Sequence, residues 1–433
     1  MNIPIVSIIG RPNVGKSTLF NRIIRKHSAI TDDRPGVTRD RNAAEFEWNG
    51  RSFMLVDTGG YIISSRDTME KAVSEQCRLA IEEADVILFL VDVKCGITDL
   101  DNDIRRDLLK CGKPVVLSVC KVDRNRDEND VYEFYNLGLG KPLPVSGRTG
   151  RGTGDLLDAV TASLPPKEDL TSEDTEFLKI AIIGRPNVGK SSIVNRITGK
   201  VSVLVTPAPG TTRDSIDIRL TYNGRDVIIV DTAGLKRVTK LKESLEYYSS
   251  LRTLRSISRC DVAVVVIDIS EGLISYDKRL VNDVEEAGKG LIIAANKWDL
   301  VPKNHTTMKQ METRIRDQLQ DKAVYPIVFT SAITGQRVRK LVDVAIRIDE
   351  QRRFRVQTSE LNQFIKMLVL PPGSSDIKIF YVTQYGINPP SFVFFINNVR
   401  KVKDNMIRYV EGQLRKQFGF EGTPIKLSFK KRE

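Results

Sequence analysis

One octapeptide, Gly-Arg-Pro-Asn-Val-Gly-Lys-Ser, stands twice in the chain, at 10–17 and at 184–191. It satisfies G-x-x-x-x-G-K-S both times, after a short apolar run and before a helical pattern, the context that a phosphate-binding loop needs. Gly10, Arg11, Pro12, Asn13, Val14 and Gly15 would wrap a phosphate with backbone N–H groups. Gly184, Arg185, Pro186, Asn187, Val188 and Gly189 would do the same in the second copy. The following helix N-terminus adds positive potential. Lys16 and Lys190 would reach the β- and γ-phosphates, and Ser17 and Ser191 would ligate Mg²⁺, with Thr18 and Ser192 next in line. A glycine-rich turn with no ligand explains one such match, but explains two with the same flanks poorly.

Further motifs follow each loop in the same order. Asp57, Thr58, Gly59 and Gly60 form D-T-x-G, as do Asp231, Thr232, Ala233 and Gly234, offset by 174. The aspartates end apolar runs, where an acid holding Mg²⁺ belongs. Gly60 and Gly234 leave room for a backbone N–H at the γ-phosphate. Thr38 and Thr212 lie in P-G-x-T-R-D segments that would close over the metal. Asn296, Lys297, Trp298 and Asp299 read N-K-x-D. A carboxylate at Asp299 matches the paired N1–H and N2–H₂ donors of guanine, and adenine offers no such pair. Cys120, Lys121, Val122 and Asp123 occupy the equivalent stretch of the first copy. Ser331 with Ala332, and Ser146 with Gly147, follow later strands and would offer backbone N–H groups to guanine O6.

A period near 174 is too long for a solenoid and means that a whole domain is duplicated. Apolar runs at 5–9, 53–56, 86–91 and 115–119 precede the motifs of the first copy. Runs at 180–183, 227–230, 262–267 and 291–294 do so in the second. Runs apolar on both faces suit parallel strands covered by helices, and helical stretches at 65–84 and 243–259 fall between them. The expected class is α/β, two tandem doubly wound, mostly parallel sheets at 1–163 and 178–350. The stretch 164–177 is acidic, carries two prolines and reads as a linker. Residues 351–433 read helix-strand-strand-helix-strand, a small α+β domain.

With 433 residues, 41% of them apolar, the chain is globular along most of its length. It has no apolar run long enough to cross a membrane, and no signal peptide is read at its start. Five cysteines without a C-x-x-C pair argue against a disulfide framework, and two distant histidines against a zinc site. The net charge is +12, yet 351–433 alone holds 15 Lys/Arg against 6 acids. That focus points to a polyanionic partner.

The serial order of these motifs resembles translation-factor-type GTPases. The duplication and basic tail resemble one bacterial family, the Der or EngA tandem GTPases, over essentially the whole chain. That resemblance implies two Era-like GTPase domains, a C-terminal KH-like domain, and GTP or GDP with Mg²⁺ at two sites. It further implies work in assembly of the large ribosomal subunit with rRNA as partner, by a cytoplasmic monomer with no membrane partner. Asn13 and Asn187 match an asparagine that helps hold K⁺ in potassium-activated relatives; shaping the loop is the plainer role for the same residues.

The chain departs from the family pattern at three points. Cys120 replaces the expected Asn and cannot supply an amide's hydrogen bonds. Gly147 replaces Ala. Tyr61 and Leu235 stand where many GTPases place a water-orienting Gln. The tail also lacks the G-x-x-G of ordinary KH domains. Its candidate RNA contacts are the basic residues at 400, 401, 403, 408, 415, 416 and 430–432. The alternative function is an RNA-binding scaffold whose first nucleotide site is mainly structural. A membrane-remodelling GTPase finds no amphipathic or lipidation signal.

Overall fold

The structure, a computed structural model, describes residues 3–28, 43–58, 77–166, 177–199, 217–231, 244–302, 306–319, 324–371 and 376–432. The chain forms two compact units, residues 1–169 with 240–255 and residues 170–239 with 256–433.

In the first unit, the described strands are β1 (Ile5–Ile9), β2 (Ala43–Trp48), β3 (Arg51–Asp57), β4 (Val86–Asp92), β5 (Val115–Cys120) and β6 (Leu143–Pro144). They form one sheet in the order β2-β3-β1-β4-β5-β6. All pairs are parallel except β2 with β3. β4 is buried along its whole length, as a strand covered on both faces must be. Val86, Leu88 and Leu90 pack with Leu19, Phe20 and Leu156 on one side. Ile87, Phe89 and Val91 pack with Ile104 and Leu108 on the other. The helices Lys16–Ser28, Asp99–Cys111 and Thr153–Ser163 supply these partners.

The second unit repeats the plan with β7 (Leu178–Ile183), β8 (Ile218–Tyr222), β9 (Arg225–Val230), β10 (Val262–Asp268), β11 (Gly290–Asn296) and β12 (Ile327–Phe329), in the order β12-β11-β10-β7-β9-β8. Here Val262, Val264 and Val266 face Ile193 and Leu341, while Ala263, Val265 and Ile267 face Leu280 and Val281. The expected helix at 243–259 is Ser244–Arg259. Of the helix expected at 65–84, residues 77–83 are helical and the rest lies outside the described residues, as does most of the linker.

Two strands went unread. β2 and β8 are antiparallel edge strands joined to β3 and β9 by the pairs Asn49-Gly50 and Asn223-Gly224. All four turn residues have positive φ, 50° and 71° in one hairpin, 49° and 78° in the other. That is the left-handed geometry of a tight hairpin turn, which Asn-Gly tolerates best.

The C-terminal segment belongs to the second unit. The helices Thr358–Met367 and Asp404–Phe418 pack on a sheet of β13 (Ile379–Ile387), β14 (Pro390–Ile396) and β15 (Lys426–Lys431). Its core joins Leu361, Phe364, Met406, Val410 and Leu414 to Phe392, Phe394 and Ile396. Leu291 N–H donates to Gly422 O at 2.8 Å, and Phe420 N–H to Gln351 Oε1 at 2.8 Å. These bonds seat the loop after the last helix against the start of β11 and the end of the helix Val338–Arg353. The fold class is therefore as read: two α/β repeats and a small α+β domain.

Candidate nucleotide-binding sites

Both glycine-rich loops join the first strand of their repeat to a helix. A Cβ on Gly10 would stand 2.5 Å from Leu90 O, and one on Gly184 2.5 Å from Val266 O. Only glycine lets the loop cross the neighbouring strand this closely. Asn13 and Asn187 sit in the left-handed region, φ 61° and 66°, a conformation that asparagine tolerates better than most residues. Both are exposed, as are Pro186, Ser17 and Ser191, while Pro12 is half-buried. Val14 and Val188 anchor the loops in the core. Lys16 Nζ donates to Gly10 O at 2.8 Å and Arg11 O at 2.9 Å. Lys190 Nζ donates to Gly184 O at 2.8 Å and Arg185 O at 2.7 Å. Each ammonium thus lies folded into its own loop. Burial lowers the Lys16 pKa and takes that of Lys190 down to about 8.

The carboxylates follow. Asp57 ends β3 and is buried. Thr58 Oγ1 donates to Ile8 O at 2.7 Å. Asp231 follows β9 with φ 55°, and its Oδ2 accepts from Ser256 Oγ at 2.9 Å. Thr38, Gly59, Gly60, Tyr61, Thr212, Thr232, Ala233, Gly234 and Leu235 lie outside the described residues.

At the other end of the second site, Asn296 ties three segments together. Its Nδ2 donates to Val188 O at 2.8 Å, and its Oδ1 accepts from Ala332 N at 3.0 Å and Thr330 Oγ1 at 3.3 Å. Lys297 has φ 63° and its Nζ lies 2.6 Å from Asp268 Oδ2. Trp298 is buried and packs on Phe329 at 4.7 Å between ring centroids. Asp299 keeps one buried oxygen, Oδ1, without a hydrogen-bond partner. Thr334 N donates to Ser331 Oγ at 3.1 Å.

The first site shares the lysine and lacks the amide. Lys121, φ 64°, donates to Asn13 O at 2.9 Å and to Asp92 Oδ2 at 2.6 Å. Cys120 is buried, and burial, with the nearby Asp92 charge, pushes its thiol up to about 12, so it is neutral. Val122 N–H donates to Val145 O at 3.2 Å. Asp123 Oδ1 accepts from Ser146 Oγ at 2.7 Å, and Oδ2 lies 3.1 Å from Arg148. A Cβ on Gly147 would meet Leu19 N at 3.0 Å, a contact that explains why this copy carries Gly where the second carries Ala332. A Cβ on Gly15 would meet nothing within 4 Å, whereas one on Gly189 would meet Asn296 Nδ2 at 2.3 Å. The first site therefore has open space where the second holds its amide.

Sequence reasoning missed the anchors behind the loop arginines. Arg11 Nε lies 3.6 Å from Asp101, and Arg185 Nε 3.7 Å from Asp277. Both aspartates are fully buried third residues of the helices Asp99–Cys111 and Ser275–Glu286. Each accepts from the backbone N–H before its helix, Thr98 at 3.1 Å and Ile274 at 3.2 Å. Matching positions in the two copies, D-L-D and S-Y-D, were the available signal.

A family model described as 50S ribosome-binding GTPase matches residues 5–121 and 179–297. A second, described as the KH-domain-like C-terminal part of EngA bacterial GTPase enzymes, matches 355–430. A protein named GTPase Der from Chloroherpeton thalassium is 46% identical over 436 residues, spanning 99% of this chain and 100% of that one. Proteins of the same name from Clostridium novyi (strain NT) and Streptococcus pneumoniae (strain Hungary19A-6) are 45% and 46% identical, each over 100% of both chains.

Proposed function

The chain belongs to the GTPase Der family of bacterial tandem GTPases, and from that premise we propose that it binds GTP and GDP at two sites, hydrolyses GTP, and acts in assembly of the large ribosomal subunit. The observation that carries the reading is the repeated geometry. In both repeats a P-loop lysine faces its own loop carbonyls, and the lysine of the base motif, held at positive φ, pairs with the aspartate ending a central strand. The functional boundaries we propose are 1–163, 178–350 and 351–433, joined by 164–177.

In the proposed mechanism, Lys16 and Lys190 leave their loop carbonyls for the β- and γ-phosphates, and the loop N–H groups cradle the same oxygens. Asp123 and Asp299 read guanine, with the backbone at Ser146–Gly147 and Ser331–Ala332 beside them. The exposed hydroxyls of Ser17 and Ser191 and the carboxylates of Asp57 and Asp231 are hard oxygen donors that suit Mg²⁺. Those residues, with Thr38 and Thr212, would hold the metal, which when bound supplies positive charge against the phosphate oxygens. Gly60 and Gly234 would offer backbone N–H groups to the γ-phosphate. With Tyr61 and Leu235 in place of Gln, additional transition-state charge must be met, and Asn13 and Asn187 would hold K⁺ for that purpose. The expected setting is the cytoplasm, as a monomer working on rRNA-containing particles without a membrane; among the described residues no helix is long and apolar enough to cross one.

Two measurements test this. GTP hydrolysis by the full chain should need Mg²⁺ and rise when K⁺ replaces Na⁺ at constant ionic strength. Asn187→Gly keeps the left-handed backbone and removes the side chain, so it should flatten the K⁺ dependence if the asparagine holds the ion. Co-sedimentation with large ribosomal subunits should depend on whether GTP or GDP is present; no association in either state would overturn the assembly role.

A further inference from the structure

The C-terminal sheet buries one face and leaves the other open. Alternation along β13 and β14 sends Val382, Phe392, Phe394 and Ile396 into the domain core. The opposite face carries Tyr381, Thr383, Phe395, Lys426, Ser428 and Lys430, which take no part in that core, around Val393, which is itself buried. Register aligns these residues in rows across the strands. Tyr381 pairs with Phe395, and Phe395 with Lys430. Ser391 pairs with Lys426. The rings of Tyr381 and Phe395 stack at 4.2 Å between centroids, 15° from parallel.

That stack is unfinished. β13 is one of the two edge strands, and Tyr381 remains 39% exposed. Tyr385, at the register shift between Gln384 and Gly386, is 58% exposed. An exposed aromatic ring on a sheet offers a flat face on which a planar partner can stack. Cations surround the same end of the sheet. Lys430 shares the row of the stack, and Arg432 N–H donates to Ile396 O at 3.0 Å, one step beyond it. The Arg432 guanidinium lies 4.9 Å from the centre of the Phe380 ring and Lys378 Nζ 5.6 Å. The nearby acid, Asp376, pairs with Lys401 at 2.8 Å.

We propose that this open face is a binding platform for unpaired RNA bases, with a base extending the Tyr381–Phe395 stack and its flanking phosphates meeting Lys430, Lys378 and Arg432. Stacking on an aromatic ring accepts any base, and lysines beside it track the backbone without reading sequence. A double helix hides its base faces and cannot use Tyr381, so the platform selects single strands. The basic helix is a poorer candidate, because Arg415 already bonds Glu411, Phe420 O and Thr423 O inside the domain. This inference rests on the proposed work on rRNA-containing particles and assigns a place to that contact.

The test uses the full chain and a fluorescein-labelled mixed-sequence 12-nucleotide RNA, single-stranded and annealed to its complement, read by anisotropy. Tyr381→Ala should weaken single-strand binding at least about fivefold with its salt slope unchanged, and Tyr381→Phe should restore it. Lys430→Ala should lower the slope of log affinity against log salt by about 0.7, the value of one phosphate contact on a single strand. GTP hydrolysis should match wild type in all three variants, and the thermal midpoint should match in Tyr381→Phe and Lys430→Ala. The proposal is overturned if Tyr381→Ala binds the single strand like wild type, if duplex binds as tightly as single strand, or if Tyr381→Ala loses a protein cross-link in the ribosomal particle while keeping RNA affinity. Failure of the wild-type chain to associate with particles, with oligonucleotide binding intact, would remove the assembly role and leave the platform standing.

Discussion

The side-chain amide of Asn296 donates to the carbonyl of Val188 at 2.8 Å, so the last residue of β11 is tied directly to the glycine-rich loop. Cys120 holds the same position in the first repeat and makes no such tie. Losing a hydrogen bond of this kind costs about 0.5–1.5 kcal/mol, and Asn296 makes three. Asn296→Cys should therefore weaken GDP binding at the second site by roughly tenfold or more. Cys120→Asn should tighten the first site a few-fold, since the space beside Gly15 is open. Calorimetric titration of the full chain, which resolves two classes of site, checks both. Tightening absent in Cys120→Asn would mean that close packing at Gly147 keeps the new amide from Val14 O.

The proposed base choice rests on the carboxylate of Asp299. Asp299 Oδ1 is buried and without a partner, which is costly unless a ligand supplies the donor. In the proposed site, guanine N1–H and N2–H₂ would supply donors to this carboxylate. Asp299→Asn should move the second site towards xanthine nucleotides, whose edge suits an amide, and leave the first site on guanine. Titration of the variant with XDP and then GDP should show one site for each. Two GDP sites of wild-type affinity would remove Asp299 from base recognition.

Lys190 gives a pH dependence whose sign can be worked out. Burial takes its pKa to about 8 in the nucleotide-free site. Phosphates beside the ammonium would favour its charged form and raise that value. Between the two pKa values the bound state holds more protons, so affinity falls as pH rises, approaching about tenfold per unit. Below 8 both states are protonated and the dependence from Lys190 disappears. GDP binding to the second site should thus be flat from pH 6.5 to 7.5 and weaken from 8 to 9.5. Calorimetry at pH 8.5 in buffers of different ionisation enthalpy should report proton uptake. Proton release there would refute the assignment.

Much of this is legible in the sequence, because the loops are built from residues adjacent in the chain. GRPNVGKS carries its own glycines, lysine and serine, and central strands such as Val86–Asp92 are apolar on both faces. The edge strands β2 and β8 were harder, because they lack the continuous apolar runs of the central strands. Residues 44–48 and Ile218–Tyr222 alternate apolar and polar instead, and the Asn-Gly pairs at 49–50 and 223–224 mark the turns that follow. The anchoring aspartates were harder still. Asp101 lies 90 residues from Arg11, and an acid in the first turn of a helix is common for its effect on the helix dipole alone. Gly147 reads in the sequence only as a replacement of Ala, and the Leu19 backbone that a Cβ would meet at 3.0 Å is not visible there.

The last expectation concerns Asp277, which holds both a helix start and a loop arginine. Its Oδ2 accepts from Ile274 N–H at 3.2 Å, and its Oδ1 is a buried oxygen 3.7 Å from Arg185 Nε. Burial pushes this carboxyl above its ordinary range despite the backbone bond and the arginine. The two duties can be separated by substitution. Asp277→Asn keeps an oxygen for Ile274 and removes both the charge and its desolvation, so stability should change by less than about 1 kcal/mol. Asp277→Ala loses the backbone bond too and should cost about 0.5–2 kcal/mol, within the range for a lost helix cap. Both leave Arg185 hydrogen-bonded to Glu271, an acid 57% exposed whose pairing solvent and salt screen. The glycine-rich loop then loses its buried tether, and GDP affinity at the second site should fall several-fold in both variants alike. Urea unfolding alongside nucleotide titration distinguishes the two effects. Affinity that tracks stability, low in Ala and normal in Asn, would show that Asp277 serves the helix alone and that the Arg185 contact does not position the loop.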